Sequence, residues 1–265
     1  TTFAAMSPSA ARTALIALLA VGFVGASAPE ADAKSKKSAK ADTKKSQKSQ
    51  KSQKSQKSKK SKQSKKSAKA PAKKANMPNG WTWPPSRAMR QAGSQCLDDL
   101  TAMGVKWERG KKTKKIATPV VVPDMEFGGV KVKSWWRKGP HVIDCHLALA
   151  LAHFAPQLHA LGVREIKFSS LYRYDHVTSH GVKRKTLSRH ALGLAMDVRS
   201  FTDAAGNEAI VVEDYNDGNE LLLRIEQFFN ESGGFRTVLT PRNDPASHDD
   251  HFHIEVKVDY AVEAK

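Results

Sequence analysis

Long apolar runs are scarce in this sequence, and the single one near its N-terminus is too short to span a bilayer comfortably as a permanent helix. That run, Ala14–Ala26, follows Arg12 and precedes small residues of the A-x-A cleavage type at Ala26–Ala28 and Ala31–Ala33. This order predicts a secretory signal over residues 1–33, with an uncleaved membrane anchor as the alternative. We therefore expect an exported protein of the periplasm or cell envelope, with no permanent transmembrane helix.

Aromatic residues, and aliphatic side chains larger than alanine other than Pro71, are missing from Lys34 to Asn76. Between Lys34 and Lys74 there are 18 lysines and one acidic residue, Asp42, so this segment carries +17 of the net charge of +18. Such a composition cannot bury enough apolar surface to offset the entropy of ordering, which predicts a disordered Lys/Ser/Gln-rich tether over 34–85. Its positive charge predicts weak binding to anionic envelope polymers. Specific nucleic-acid binding is not expected, because no aromatic residues are interleaved with the lysines to stack on bases.

Cysteine is nearly absent, since the chain has two, Cys96 and Cys145. An even pair in an exported protein indicates a disulfide, whereas a cytosolic protein would keep both thiols reduced. We expect a disulfide that joins two helices.

The folded domain is predicted to occupy residues 86–265 and to be α+β. A helix over 86–103 is indicated by Ser86 as its cap, and a buried helix over Ile143–Leu161 by a run rich in alanine and leucine, which Pro156 should kink or split. Short strands are expected at Val120–Val122, Val130–Lys133 and Val163–Tyr172, followed by a polar loop from His176 to Lys185.

Two histidine pairs offer metal-ligand spacing away from the main motif. His146 and His153 share a helical face but lack acidic or cysteine partners, so packing or surface roles are the preferred interpretation. His176 and His180 fall in the polar loop, where solvent exposure is favoured over a place in a cleft.

The residues that indicate chemistry are Ser188-x-His190-x-x-Gly-x-Ala-x-Asp197 and the later His-x-His of His251 and His253. Alternation from Leu194 to Phe201 places Asp197 opposite the apolar face, and the last strand places His253 likewise. If these strands are antiparallel neighbours, Asp197 and His253 project side by side, and His190 can complete a set of three ligands. Two imidazoles and one carboxylate would leave the fourth position of a tetrahedral zinc ion open. The plainer alternative is that these three are polar residues that simply face outward from their strands.

These motifs resemble the bacterial extensin-like C-terminal domain family, which is similar to the LAS-group and M15 D-Ala-D-Ala zinc peptidases. The resemblance covers about Ser94 to Val258 and draws further on Tyr172-Arg173, Gly234–Pro241 and His248–His253. It implies a central antiparallel sheet with flanking helices and Zn²⁺ as the cofactor.

The resemblance also implies roles for particular residues. His190, Asp197 and His253 would bind zinc, Asp250 would act as the catalytic base, and His251 would hydrogen-bond the oxyanion or the attacking water. The substrate-binding candidates are Arg173, which would anchor a substrate carboxylate, together with Tyr172 and Ser188. The carboxypeptidases of that group use a glutamate as the base, and aspartate is one methylene shorter.

Three functions follow as expectations. The first is an envelope zinc peptidase that hydrolyses peptidoglycan stem or crosslink peptides, and the second is a non-catalytic zinc-containing module that binds cell-wall peptides. The third, a lysine-rich structural or nucleic-acid-binding protein, is disfavoured by the export signal.

Overall fold

The computed structural model describes residues 76–179 and 182–261. The signal peptide predicted at 1–33 and the tether as far as residue 75 lie outside the described residues. Within those ranges no helix has the length and apolar character needed to cross a membrane.

The described residues form an α+β domain with several sheets and few helices. The helices are α1 (Arg87–Ala102), α2 (Cys145–Ala160), α3 (Val211–Asp214) and α4 (Glu220–Glu231), with a 3₁₀-helix at Arg189–Leu192. The strands are β1 (Glu108–Arg109), β2 (Pro119–Val121), β3 (Glu126–Phe127), β4 (Val130–Ser134), β5 (Val142–Asp144), β6 (Val163–Ser170), β7 (His176–Ser179), β8 (Val182–Leu187), β9 (Ala195–Asp203), β10 (Glu208–Ile210), β11 (Phe235–Leu239) and β12 (Phe252–Val256).

The largest sheet has the order β11-β12-β9-β6-β4-β3, with β10 also paired to β9. Strands β4 and β6 are parallel, whereas β6, β12 and β10 all run antiparallel to β9. Helix α2 packs against this sheet through a core that includes Leu151, Ile166 and Ile254. The strand that carries Asp197 is therefore held between neighbours on both edges.

Helix α1 begins where the sequence predicts. The Ser86 hydroxyl accepts a hydrogen bond from the Met89 amide at 3.2 Å, and Met89, Cys96 and Leu100 are buried. The disulfide between Cys96 and Cys145 is confirmed, and it joins α1 to the first residue of α2.

Helix α2 begins at Cys145, so the predicted start at Ile143 is wrong. Ile143 instead pairs with Val120 in the small sheet, and Asp144 caps the helix by accepting from the His146 amide at 3.1 Å. The helix continues through Pro156 to Ala160, so its last turn is not split off.

The polar loop predicted at His176–Lys185 is also wrong, because this stretch forms the two-stranded ribbon β7–β8. The described side chains of β8 are exposed or half-buried. Residues 182–185 are exposed, and Leu187 at the end of β8 packs against the hydrophobic core. A ribbon that is largely solvated has little need for alternating apolar residues, so its sequence carries no strand pattern. His180 lies outside the described residues.

Part of the segment assigned to the tether contacts the domain. Arg189 Nε donates to the Asn76 carbonyl at 2.7 Å, and Asn79 forms a parallel bridge with Asp259. The Trp81 side chain also packs against the hydrophobic core. The domain therefore makes contacts upstream of Ser86.

Candidate metal centre

His190 is presented by the 3₁₀-helix that follows β8. The Ser188 hydroxyl caps this helix by accepting from the His190 amide at 3.3 Å, so the structure gives Ser188 a positioning contact. Gly193 ends the helix with a φ of +68°, and a Cβ there would lie 2.7 Å from the Asp144 amide nitrogen. A tight, glycine-dependent turn thus leads directly from His190 into β9.

The His190 ring is fully buried, and its tautomer follows from its contacts. Nδ1 lies 2.7 Å from the Leu171 carbonyl oxygen, which can only accept, so Nδ1 carries the hydrogen. In the neutral ring, Nε2 then has a free lone pair, which is the form of imidazole that binds metals.

Asp197 and His253 are cross-strand neighbours, as the antiparallel prediction requires. Their residues pair directly in the β9–β12 register. His253 Nδ1 lies 2.7 Å from Asp197 Oδ1, while His190 Nε2 lies 3.0 Å from that oxygen and 3.2 Å from His253 Nδ1. Three ligand-type atoms from three places in the chain therefore meet at one point.

The donor set fits zinc on chemical grounds. Bond lengths of 2.0–2.1 Å in a tetrahedral site imply ligand separations of about 3.3 Å, slightly longer than those of the three converging atoms. His253 Nε2 faces Glu255 Oε1 at 3.3 Å, and a hydrogen on Nε2 would leave the Nδ1 lone pair facing the other two ligand atoms. Lone pairs aimed at one another repel unless a cation or shared proton lies between them. Of the His, Cys, Asp and Glu side chains at 76–179 and 182–261, His190, Asp197 and His253 form the group that could hold a metal ion.

Neighbouring groups hold each of these side chains in place. Arg173 Nη1 lies 3.4 Å from Asp197 Oδ2, although the Arg173 side chain is 54% exposed. Glu255, which is buried, also pairs with Arg236. Contacts of this kind orient metal ligands and tune their basicity.

The electrostatics of the cluster favour charged forms. Burial would raise the pKa of Asp197, but the positive charge that His190 carries when it is protonated, and hydrogen bonds with His190, His251 and His253, hold it well below its usual range. Burial would lower the pKa of His253, but hydrogen bonds with Asp197 and Glu255 raise it to about 9. Burial would raise the pKa of Glu255, but hydrogen bonding and the charges of its neighbours lower it to about 2. The centre is thus built around carboxylates that stay ionised.

Asp250 and His251 adjoin the three ligand candidates. His251 Nδ1 lies 2.5 Å from Asp250 Oδ1, and its Nε2 lies 3.5 Å from Asp197 Oδ1. Burial would lower the pKa of His251, but hydrogen bonds with Asp197 and Asp250 raise it. Asp250 also pairs with Arg199, and hydrogen bonds with His251 and Arg199 lower its pKa despite burial.

The remaining candidates lie outside this cluster. The Tyr172 hydroxyl donates to the Lys114 carbonyl at 3.1 Å. His146 Nδ1 lies 2.7 Å from Asp144, and its ring packs edge-on against Tyr260. His153 is exposed on α2.

Sequence reasoning missed three supporting groups: the Leu171 carbonyl, Glu255 and Arg199. Two of them could have been inferred from the sequence. Side chains alternate along a strand, so Arg199 lies on the same strand face as Asp197, and Glu255 on the same face as His253. The Leu171 carbonyl had none, since only the folded chain brings a backbone oxygen to His190.

The fold and the site define a class, namely an α+β domain whose central sheet carries a two-histidine, one-aspartate candidate metal centre. A family model described as extensin-like protein C-terminus matches residues 94–263, and the chain belongs to this family. Curated proteins and solved structures give no match.

Proposed function

We propose that this domain is a zinc-dependent peptidase of the cell envelope that hydrolyses peptide bonds in peptidoglycan stems or crosslinks. The proposal includes the finer fold assignment, that of the LAS-group and M15 D-Ala-D-Ala metallopeptidases. The observation that carries it is the convergence of His190 Nε2, Asp197 Oδ1 and His253 Nδ1, with separations of 2.7–3.2 Å. Three protein ligands leave one position free, as in catalytic rather than structural zinc sites.

The residues of the chain supply the rest of the chemistry. Zinc, when bound, polarises a scissile carbonyl and brings the pKa of water towards ~7. Asp250 accepts a proton from the attacking water and returns it to the leaving amine, as a general base and then acid. His251, whose ring lies between Asp250 and Asp197, donates a hydrogen bond to the developing oxyanion. Arg173, largely exposed beside Asp197, offers its planar fork to a substrate carboxylate.

The cellular setting belongs to the same proposal. Residues 1–33 direct export, and the lysine-rich segment holds the enzyme near anionic envelope polymers by charge attraction. Peptidoglycan peptides are then the abundant amide substrates within reach of the domain.

One observation favours a second function, a non-catalytic zinc-containing module that binds cell-wall peptides. Asp250, at the position of the base, pairs with His251 and Arg199, and these hydrogen bonds lower the pKa of Asp250 despite burial, and with it the basicity of the carboxylate. A weaker base, on a side chain shorter than glutamate, would serve proton transfer less well.

Metal analysis tests the ligand assignment. His190→Ala and His253→Ala should each lose most of the bound zinc, whereas His153→Ala, which removes an exposed imidazole from α2, should keep it. Full zinc occupancy in both ligand variants would refute the assignment.

Digestion of purified sacculi separates the two functions. The peptidase should release muropeptides, and Asp250→Ala should abolish release without removing zinc, while Asp249→Ala serves as the neighbouring exposed acid control. Stoichiometric zinc, no released muropeptides and no effect of Asp250→Ala would favour the binding module.

A further inference from the structure

A cleft of about 460 Å³ opens beside the candidate metal centre, between the end of β6 and the loop that joins β4 to β5. Two residues of its wall also contact the centre. The Leu171 carbonyl accepts from His190 Nδ1 at 2.7 Å, and Arg173 lies 3.4 Å from Asp197. A peptide bound at the centre can therefore extend into this cleft.

The cleft wall is positively charged. Arg173 lies on the β6 side, while Arg137 and Lys138 come from the β4–β5 loop, and no Asp or Glu stands among the described residues that line the cleft. Arg137 and Lys138 are exposed, and neither side chain forms an ion pair or hydrogen bond with any residue of 76–179 or 182–261. Burial and the neighbouring charge of Arg137 lower the pKa of His141, which also lines the cleft. Within residues 76–179 and 182–261, the two loop cations thus face the cleft without a counter-ion.

Backbone hydrogen bonds hold the loop that carries these cations. The Trp135 amide donates to the Phe168 carbonyl at 2.7 Å, which ties the loop to β6. The Ser134 hydroxyl accepts from the amides of Trp136 and Arg137 at 3.4 and 3.3 Å. A positioned backbone loses less conformational entropy on binding than a free one, so these cations are well placed to select a ligand.

We propose that Arg137 and Lys138 form a second anion subsite, which binds a carboxylate of the peptide other than the one held by Arg173. The favoured substrates are then peptides with at least two free carboxylates. This inference rests on the proposed function, since it concerns the same cleft and the same peptide. An extended peptide spans at most about 3.3–3.6 Å per residue, so a side-chain carboxylate a few residues from the scissile bond enters the cleft beyond Arg173.

Equilibrium binding to the full-length, zinc-loaded protein tests the subsite without requiring hydrolysis. The probes are two synthetic tetrapeptides with a free C-terminus, which differ only in whether one internal side-chain carboxyl is free or amidated. Calorimetry at about 0.15 M ionic strength keeps the contribution of distant charges small. We expect the wild type to bind the free-acid peptide about tenfold more tightly than the amide. A charge-assisted hydrogen bond is stronger than a neutral one, and a gain of about 1.4 kcal/mol corresponds to a factor of ten in affinity.

The double variant Arg137→Gln/Lys138→Gln should lose most of this preference while keeping its zinc content. Lys106→Gln/Arg109→Gln removes the same charge from exposed residues outside the cleft and should keep the preference. The inference is overturned if the wild type binds neither peptide or shows no preference, if the cleft variant keeps the preference, or if the control loses as much. A protein that keeps the preference but releases no muropeptides would refute the peptidase while leaving the subsite standing.

Discussion

Glu255 is predicted to set the zinc affinity of the centre through His253, although it is not a ligand itself. Its Oε1 lies 3.3 Å from His253 Nε2, the nitrogen that faces away from the other two ligand candidates. Glu255→Gln keeps the size and an acceptor oxygen but removes the charge. A hydrogen bond to a charged group contributes about 1.5–3 kcal/mol against about 1 kcal/mol for a neutral one. The difference, about 0.5–2 kcal/mol, corresponds to a loss of zinc affinity of roughly 2- to 30-fold, which overlaps the 10–100-fold range of such supporting contacts.

The assay is a competition titration of zinc against a chromophoric chelator. Glu255→Asp keeps the negative charge but moves the carboxylate one methylene away from His253. This variant therefore distinguishes the effect of the hydrogen bond from the effect of the negative charge at longer range. Glu208→Gln, on β10, changes a strand glutamate that pairs with Lys167 and should leave zinc affinity unchanged. An unchanged affinity in Glu255→Gln, or an equal loss in Glu208→Gln, would refute the reasoning.

Two further predictions concern stability. Cys96→Ala/Cys145→Ala should lower the free energy of unfolding by up to about 4 kcal/mol, because the disulfide closes a loop with a sequence separation of 49. Urea denaturation of the oxidised protein and of the variant measures this, and a difference below about 1 kcal/mol would contradict it. Burial would raise the pKa of Glu208, but hydrogen bonds with Lys167 and Ser200 lower it. The ionised Glu208 side chain therefore stabilises the folded state at pH values above its pKa in the unfolded chain. This stabilisation is lost as the pH falls from there through the lower pKa of the folded state. Glu208→Gln should therefore make stability less dependent on pH between about pH 5 and 3, and an unchanged slope in acid denaturation would count against this account.

The position of the disulfide gives it a bearing on the metal centre. Cys145 follows Asp144, whose amide donates to the Gly193 carbonyl at 3.1 Å, directly after the 3₁₀-helix that carries His190. The covalent link between α1 and α2 therefore braces the turn from which His190 projects.

The sequence alone determined the parts of this protein that follow from short-range patterns. A capping serine predicted the start of α1, and the pair of cysteines predicted the bond between the two helices. Period-two alternation fixed which side of each strand carries Asp197 and His253. Because antiparallel neighbours place such residues side by side, the three ligand candidates could be chosen before their positions were known.

Contacts between distant segments follow from the folded chain and not from local sequence patterns. The ribbon β7–β8 carries no alternation because most of β8 is exposed to solvent, and α2 begins at Cys145 because Ile143 pairs with Val120. The Leu171 carbonyl and the pairing of Arg199 with Asp250 are likewise matters of register and approach, which local sequence does not encode. The cationic cleft also depends on long-range pairing. The loop between β4 and β5 lies against β6 because β4 and β6 pair in parallel, although they are distant in the sequence.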